Sequence, residues 1–215
     1  MREAVISQVE KHKVIAIVRG VKKEDLIPTA EAVLRGGVHL LEITFSANGN
    51  PTDEETAENI KMLCDHFGER MLIGAGTVLT EKQVELVKMA GGKFVISPDT
   101  NPAVIKKTVE LGLVSMPGAL TPTEVQSAHL AGADFVKLFP VSVFGASYVK
   151  AIKAPLSHVK LLAVGGVTPD NIKSYLEAGA SGFGIGANII DRKLIEAGDF
   201  EGIEALARRY SEASN

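Results

Sequence analysis

The chain has a single cysteine in 215 residues, no excess charge of one sign and no long apolar run, and each shortage removes a class of protein. Cys64 alone cannot form an internal disulfide, and it stands on a segment of helical periodicity, where it reads as a small apolar residue. The formal net charge is −3, with 23 basic and 26 acidic residues interspersed, which leaves no electrostatic footprint for nucleic acid or an anionic membrane. The longest apolar runs, such as VIAIV at 14–18, have strand length, and residues 1–13 carry charges where a signal peptide would need an apolar stretch. The expectation is a cytoplasmic protein that acts on a small molecule. Metal-ligand spacing is missing as well: His12, His39, His66, His129 and His158 are scattered, with neither H-x-H nor H-E-x-x-H among them. There is no G-x-S-x-G elbow of a serine hydrolase. A dinucleotide fingerprint fails too, since GAGTVL at 74–79 ends in Leu79 and GFGIG at 182–186 has the wrong spacing.

What the chain does have is a repeated switch from helical periodicity to a short apolar run, with glycine at the join: LRGGVHLLEI, MAGGKFVIS, ELGLVSMP, LAGADFVKL and EAGASGFGI. Each join reads as a helix C-cap followed by a strand. Gly91, Gly112 and Gly132 recur at the period of a βα unit, and the intervals Gly37 to Gly91 and Gly132 to Gly179 each span two such units. Strands are expected near 13–19, 38–44, 70–76, 93–97, 113–116, 134–139, 160–165 and 181–186, the eight that close a barrel. Thr52-x-x-Glu55, Thr80-x-x-Gln83 and Thr121-x-x-Glu124 form capping boxes where helices should start. The fold class is therefore α/β, a single (β/α)8 TIM-barrel domain over 1–215, with a short N-terminal helix at 1–12 across the barrel bottom. A doubly wound open sheet is the structural alternative.

Barrel enzymes work at the C-terminal mouth, so a polar residue late in a strand is the one to examine. Lys13, Lys93 and Lys160 open strands, and most other lysines sit on amphipathic helical segments; Lys137 falls late in a strand, within Phe135-Val136-Lys137-Leu138-Phe139. Burial there favours the neutral amine, the form that attacks a carbonyl. In LLEITF, strand parity puts Glu42 and Thr44 on the inner face and Leu41, Ile43 and Phe45 against the helices. Glu42 and Lys137 come from even-numbered strands and can share an interior layer, as nucleophile and proton carrier or as a structural ion pair. Arg19, at the end of the first strand, can grip a carboxylate or bridge to a loop acid. Thr77 and Pro98 follow the third and fourth strands. Gly165-Gly166-Val167-Thr168-Pro169-Asp170 and Gly182-Phe183-Gly184-Ile185-Gly186-Ala187-Asn188 lie in the last two βα junctions, where such barrels bind phosphate.

LEITF with Glu42, GAGTV at 74–78, ISP at 96–98, MPG at 116–118, KLFP with Lys137 and VGGVTP at 164–169 occur in this order. The set resembles the 2-keto-3-deoxy-6-phosphogluconate (KDPG) aldolase family, which includes 4-hydroxy-2-oxoglutarate (KHG) aldolases, and the match runs along nearly the whole chain. The resemblance implies cleavage of a phosphorylated keto acid to pyruvate and D-glyceraldehyde 3-phosphate by a class I mechanism, without metal or cofactor, in a homotrimer. It makes Lys137 the Schiff-base lysine and Glu42 the general acid/base. Thr77, Pro98 and Phe139 become the pyruvate pocket, and Gly165, Gly166 and Gly186, with Ala187 beside them, the phosphate contacts.

Two positions depart from the pattern. Ser46 stands where many members carry a substrate-gripping arginine, which moves that role to Arg19. Val164 replaces the threonine usual in phosphogluconate-type enzymes and, with SVFGASYVKA at 142–151, is similar to the 6-phosphogalactonate branch, whose substrate differs at C4. Losing that hydroxyl weakens the preference for one C4 epimer, so a relaxed or bifunctional enzyme is expected. The rival readings are a phosphosugar isomerase or epimerase on the same barrel, and a non-catalytic phosphosugar-binding barrel.

Overall fold

The computed structural model describes residues 2–215. Helix α1 (Arg2–His12) leads into β1 (Val14–Val18), and strands then alternate with helices: α2 (Lys23–Arg35), β2 (Leu40–Thr44), α3 (Asp53–Phe67), β3 (Leu72–Gly76), α4 (Glu81–Met89), β4 (Phe94–Ile96), α5 (Pro102–Glu110). The second half continues β5 (Val114–Met116), β6 (Gly118–Ala119), α6 (Pro122–Leu130), β7 (Val136–Leu138), α7 (Gly145–Lys153), β8 (Leu161–Val164), α8 (Ile172–Glu177), β9 (Ala180–Ile185), α9 (Arg192–Glu196) and α10 (Phe200–Ala213). Every pairing is parallel, in the order β5-β4-β3-β2-β1-β9-β8-β7-β6. All eight expected strands are present, and the fold is a (β/α)8 barrel.

The ninth segment has a local cause. β5 and β6 are one run broken at Pro117, which has no N–H to give to a ladder. Its first half pairs with β4 and its second with β7. The seam is closed by carbonyls on the broken strand: Lys137 N–H donates to Pro117 O at 2.8 Å, Phe139 N–H to Ala119 O at 3.1 Å, and Phe135 N–H to Ser115 O at 3.2 Å.

All three expected capping boxes form, at Thr52, Thr80 and Thr121, each with the N-cap hydroxyl on the third helical N–H and the Glu or Gln returning to the cap. Each is worth about 1 kcal/mol. The glycines at the joins sit at positive φ, for instance 72° at Gly112 and 109° at Gly132, the left-handed turn that ends a helix without a Cβ penalty. The leading helix runs from Arg2, and Met1 lies outside the described residues. Val5, Ile6 and Val9 of α1 plug the barrel bottom against Ile15, Leu40, Phe94, Val114, Phe135 and Leu162, while Leu41, Ile43 and Phe45 face the helices as parity requires. Arg2 locks this plug with paired contacts to Asp134 at 2.8 and 3.1 Å.

Two strands, β3 and β9, place glycine at inward positions: Gly74 and Gly76, then Gly182 and Gly184. A methyl added at Gly74 would overlap the Phe94 ring. Gly74→Ala is therefore expected to lower stability by about 1–3 kcal/mol through overpacking, read as a fall in the denaturant midpoint; an unchanged midpoint would show that the ring can move aside. No helix among the described residues is long and apolar enough to cross a membrane.

Candidate active site

The mouth is built from strand ends. Lys137 is the middle residue of β7, between Phe135 and Phe139 on the inner face, and it is 9% exposed. Its Nζ lies 5.1 Å from the centre of the Phe139 ring. Burial is the main influence on the amine and pulls its pKa below the ordinary lysine value; the positive charge of Arg19 lowers it further, and the Glu42 carboxylate opposes both. Glu42, in the middle of β2, is 1% exposed, and its Oε2 has no hydrogen-bond partner. Burial raises its pKa, with Lys137 and Arg19 pulling it back. No hydrogen bond or ion pair joins Lys137 to Glu42 among the described residues, although each feels the other's charge. Burial thus favours the neutral form of both groups, the amine that can attack a carbonyl and a carboxyl that can gain and lose a proton.

Arg19 stands one residue beyond β1, and its guanidinium donates to Thr77 Oγ1 at 3.1 Å. Thr77 holds a left-handed backbone, φ 55°, a conformation rare for a β-branched residue and a mark of a functional constraint. Arg19 has no carboxylate partner among the described residues, so the bridge to a loop acid is not formed. Arg192 donates to the Arg19 carbonyl at 3.2 Å and supports the loop from outside.

The loop after β8 turns through Gly165 and Gly166 at φ 92° and 76°. Beside it, the loop after β9 carries Gly186 and Ala187. The N–H groups of Gly166, Val167, Ala187 and Asn188 donate to no group among the described residues. All four residues line one cavity, and free amides grouped in this way can cradle an oxyanion. Asn188 Nδ2 donates to Val167 O at 3.4 Å and ties the two loops together, and the Tyr210 hydroxyl of α10 donates to the same carbonyl at 3.2 Å.

One cavity of about 340 Å3 collects every residue that the sequence singled out: Lys137, Glu42, Arg19, Thr77, Pro98, Phe139, Val164, Gly165, Gly166, Gly186 and Ala187. Ile17 also lines it and was not singled out by the sequence, whereas Val167, Gly184 and Ile185 come from the two junctions already named there. Ile17 was visible on the same face as Arg19, and Asn188 stood in a loop already marked for phosphate. Ser46 lies outside this cavity and lines a neighbouring one with Arg19. A wider cavity, about 1060 Å3, opens at the opposite end between α1, α3 and α4. There His12 stacks on His39 at 4.2 Å and has its pKa driven down to about 4, first by burial. Cys64 borders the same space, its thiol pushed up to about 11 by burial, so it stays protonated and inert.

Comparison with known proteins places this geometry in context. The family model described as KDPG and KHG aldolase matches residues 5–206. The 2-dehydro-3-deoxy-6-phosphogalactonate aldolase of Escherichia coli (strain K12) is 36% identical over 180 residues, covering 83% of this chain and 85% of its own. A probable 2-dehydro-3-deoxy-6-phosphogalactonate aldolase of Rhizobium meliloti (strain 1021) is 40% identical over 176 residues, covering 81% and 80%. The crystal structure of KDPG aldolase from Legionella pneumophila, with pyruvate captured as a covalent carbinolamine intermediate, superposes with a TM-score of 0.84 at 28% identity, over 97% of both chains.

Proposed function

The chain belongs to the KDPG and KHG aldolase family, and on that premise we propose which substrate its mouth takes and how its residues divide the work. It is a lyase, a class I aldolase acting through a Schiff base. The substrate we assign is the 6-phosphate of 2-keto-3-deoxygalactonate, with the gluconate epimer accepted too, cleaved to pyruvate and D-glyceraldehyde 3-phosphate. 4-Hydroxy-2-oxoglutarate is a second substrate of this reading. The observation that carries it is the buried Lys137 amine sharing one cavity with the buried Glu42 carboxyl.

In this reading the neutral Lys137 Nζ attacks C2 of the keto acid, and the former carbonyl oxygen takes a proton from Glu42 to give the carbinolamine. Loss of water forms the protonated Schiff base. As the C3–C4 bond breaks, its electrons flow to the iminium nitrogen and the Glu42 carboxylate accepts the C4 hydroxyl proton, releasing the aldehyde. Protonation of the enamine at C3 and hydrolysis then free pyruvate and the amine. Arg19 and Thr77 hold the C1 carboxylate, Pro98 and Phe139 wall the pyruvate half, and the amides around Gly165, Gly166, Gly186 and Ala187 hold the phosphate. Val164 offers methyl groups in place of a hydroxyl, which supports weak selection at C4. The family resemblance also supports a homotrimer working in the cytoplasm, the first checked by light scattering.

Incubation with pyruvate and borohydride, followed by peptide mass analysis, is expected to find the reduced adduct on Lys137; its absence would sink the reading. Cleavage rates for the two 6-phosphate epimers are expected to lie within about tenfold of each other. Arg19→Ala removes a charged hydrogen-bond pair worth about 2 kcal/mol, so KM for the keto acid should rise roughly thirtyfold. If kcat fell instead with KM unchanged, Arg19 would belong to the chemical step.

A further inference from the structure

Glu42 sits in a socket made by a missing side chain. Its carboxylate carbon and Oε1 occupy the space where a β-carbon on Gly76 would stand, and its Cγ lies 2.7 Å from that point. Gly76 ends β3 and pairs in register with Thr44, two residues beyond Glu42. Unlike Gly165 and Gly166, it does not hold a positive φ, so its backbone is one that any residue can adopt. Conformation does not explain the glycine, whereas room does.

We propose that Gly76 is a positioning residue for the aldol chemistry: the volume left by its absent side chain seats the Glu42 carboxylate on the barrel wall and keeps it out of the substrate's space. This rests on the reading of Glu42 as the proton carrier. Glu42 lines the cavity, so a carboxylate pushed from the socket enters the room the keto acid needs. Within the socket one oxygen is wedged at Gly76 while Oε2 is bound to nothing. A single wedged oxygen fixes the side chain without drawing a hydrogen bond from the proton-carrying atom. The charged groups that act on this carboxyl are Lys137 and Arg19, and neither lies on β3.

The test is Gly76→Ala made twice, in the native chain and in the Glu42→Ala variant, with kcat, its pH profile and the melting temperature measured for each. In the native chain kcat is expected to fall on the order of 10²-fold, with loss of the pH limb that Glu42→Gln also loses. In the Glu42→Ala background the added methyl has space, so kcat should change by less than about twofold and the melting temperature should hold, since changes that share one contact do not add. A full second loss of kcat there would overturn the socket, as would native-like kcat and pH profile in Gly76→Ala alone. Should Gly76→Ala fail to fold, restored folding in the double variant supports the proposal and failure in both overturns it. An active Glu42→Ala enzyme instead overturns the reading of Glu42, which separates the two failures.

Discussion

Lys137→Met is expected to reduce cleavage by on the order of 10⁶-fold, toward the uncatalysed rate, and to leave no site for borohydride trapping of pyruvate. Methionine keeps the length and apolar character of the stem between Phe135 and Phe139, so the barrel should fold as before. What disappears is the amine. The same variant makes a thermodynamic prediction whose sign follows from burial. The folded pKa of Lys137 lies below its ordinary value, so the unfolded chain binds more protons at this site. Its contribution to stability is then complete above the unfolded pKa and lost as pH falls through the folded one. Relative to the native chain, Lys137→Met should therefore gain melting temperature progressively as pH is lowered from about 10. Substantial cleavage by the methionine variant would remove the lysine from the mechanism, while a flat difference in melting temperature would show that the amine stays charged when folded.

Glu42→Gln is the second large effect. Glutamine matches the glutamate in size and fills the same socket, so what it tests is proton transfer. On general acid–base magnitudes kcat should fall by about 10²- to 10⁴-fold, with KM changed far less. The stability slope runs opposite to that of the lysine. Burial raises the folded pKa of Glu42 above its ordinary value, so the stabilisation is present below the unfolded pKa and lost as pH rises through the folded one. The glutamine variant should thus gain stability over the native chain as pH rises from about 4.5. Equal kcat in the two proteins across the pH range would assign the proton work elsewhere.

The inward direction of Glu42 and Lys137 was legible because strand parity is strict: with Leu41, Ile43 and Phe45 apolar, Glu42 had one face left, and the helices lie on the other. Helix starts at Thr52, Thr80 and Thr121 were legible because a capping box satisfies orphan N–H groups from residues close in sequence. The split of the fifth strand was not foreseen. A two-residue segment, Gly118–Ala119, carries no periodicity, although Pro117 marks where a ladder must lose a donor. Ile17 was missed in the cavity lining because an apolar residue at a mouth has the same pattern as one in a core. Arg19 proved to lie one residue past its strand, and this changed little, since its long side chain still reaches Thr77. The large cavity at the barrel bottom had no signature at all: its walls come from the ends of α1, α3 and α4, brought together by closure of the barrel.

The glycines on β3 and β9 make the interior lopsided. In the usual packing of such a barrel every strand sends side chains into interior layers, yet here Gly74, Gly76, Gly182 and Gly184 send none. The neighbouring strands fill the deficit, Phe94 of β4 leaning over Gly74, Glu42 of β2 over Gly76, and Val164 of β8 and Ile17 of β1 over Gly184. A map of mutational tolerance around the mouth should therefore be one-sided. Gly74, Gly76 and Gly182 would reject even a methyl group, because a neighbour already owns that volume, while Gly184 would need Val164 and Ile17 to shift. Variation in what the mouth accepts is left to the side chains that flank β9, with Val164 and Arg19 foremost, so a change of specificity can arise there without disturbing β3, the wall against which Glu42 rests.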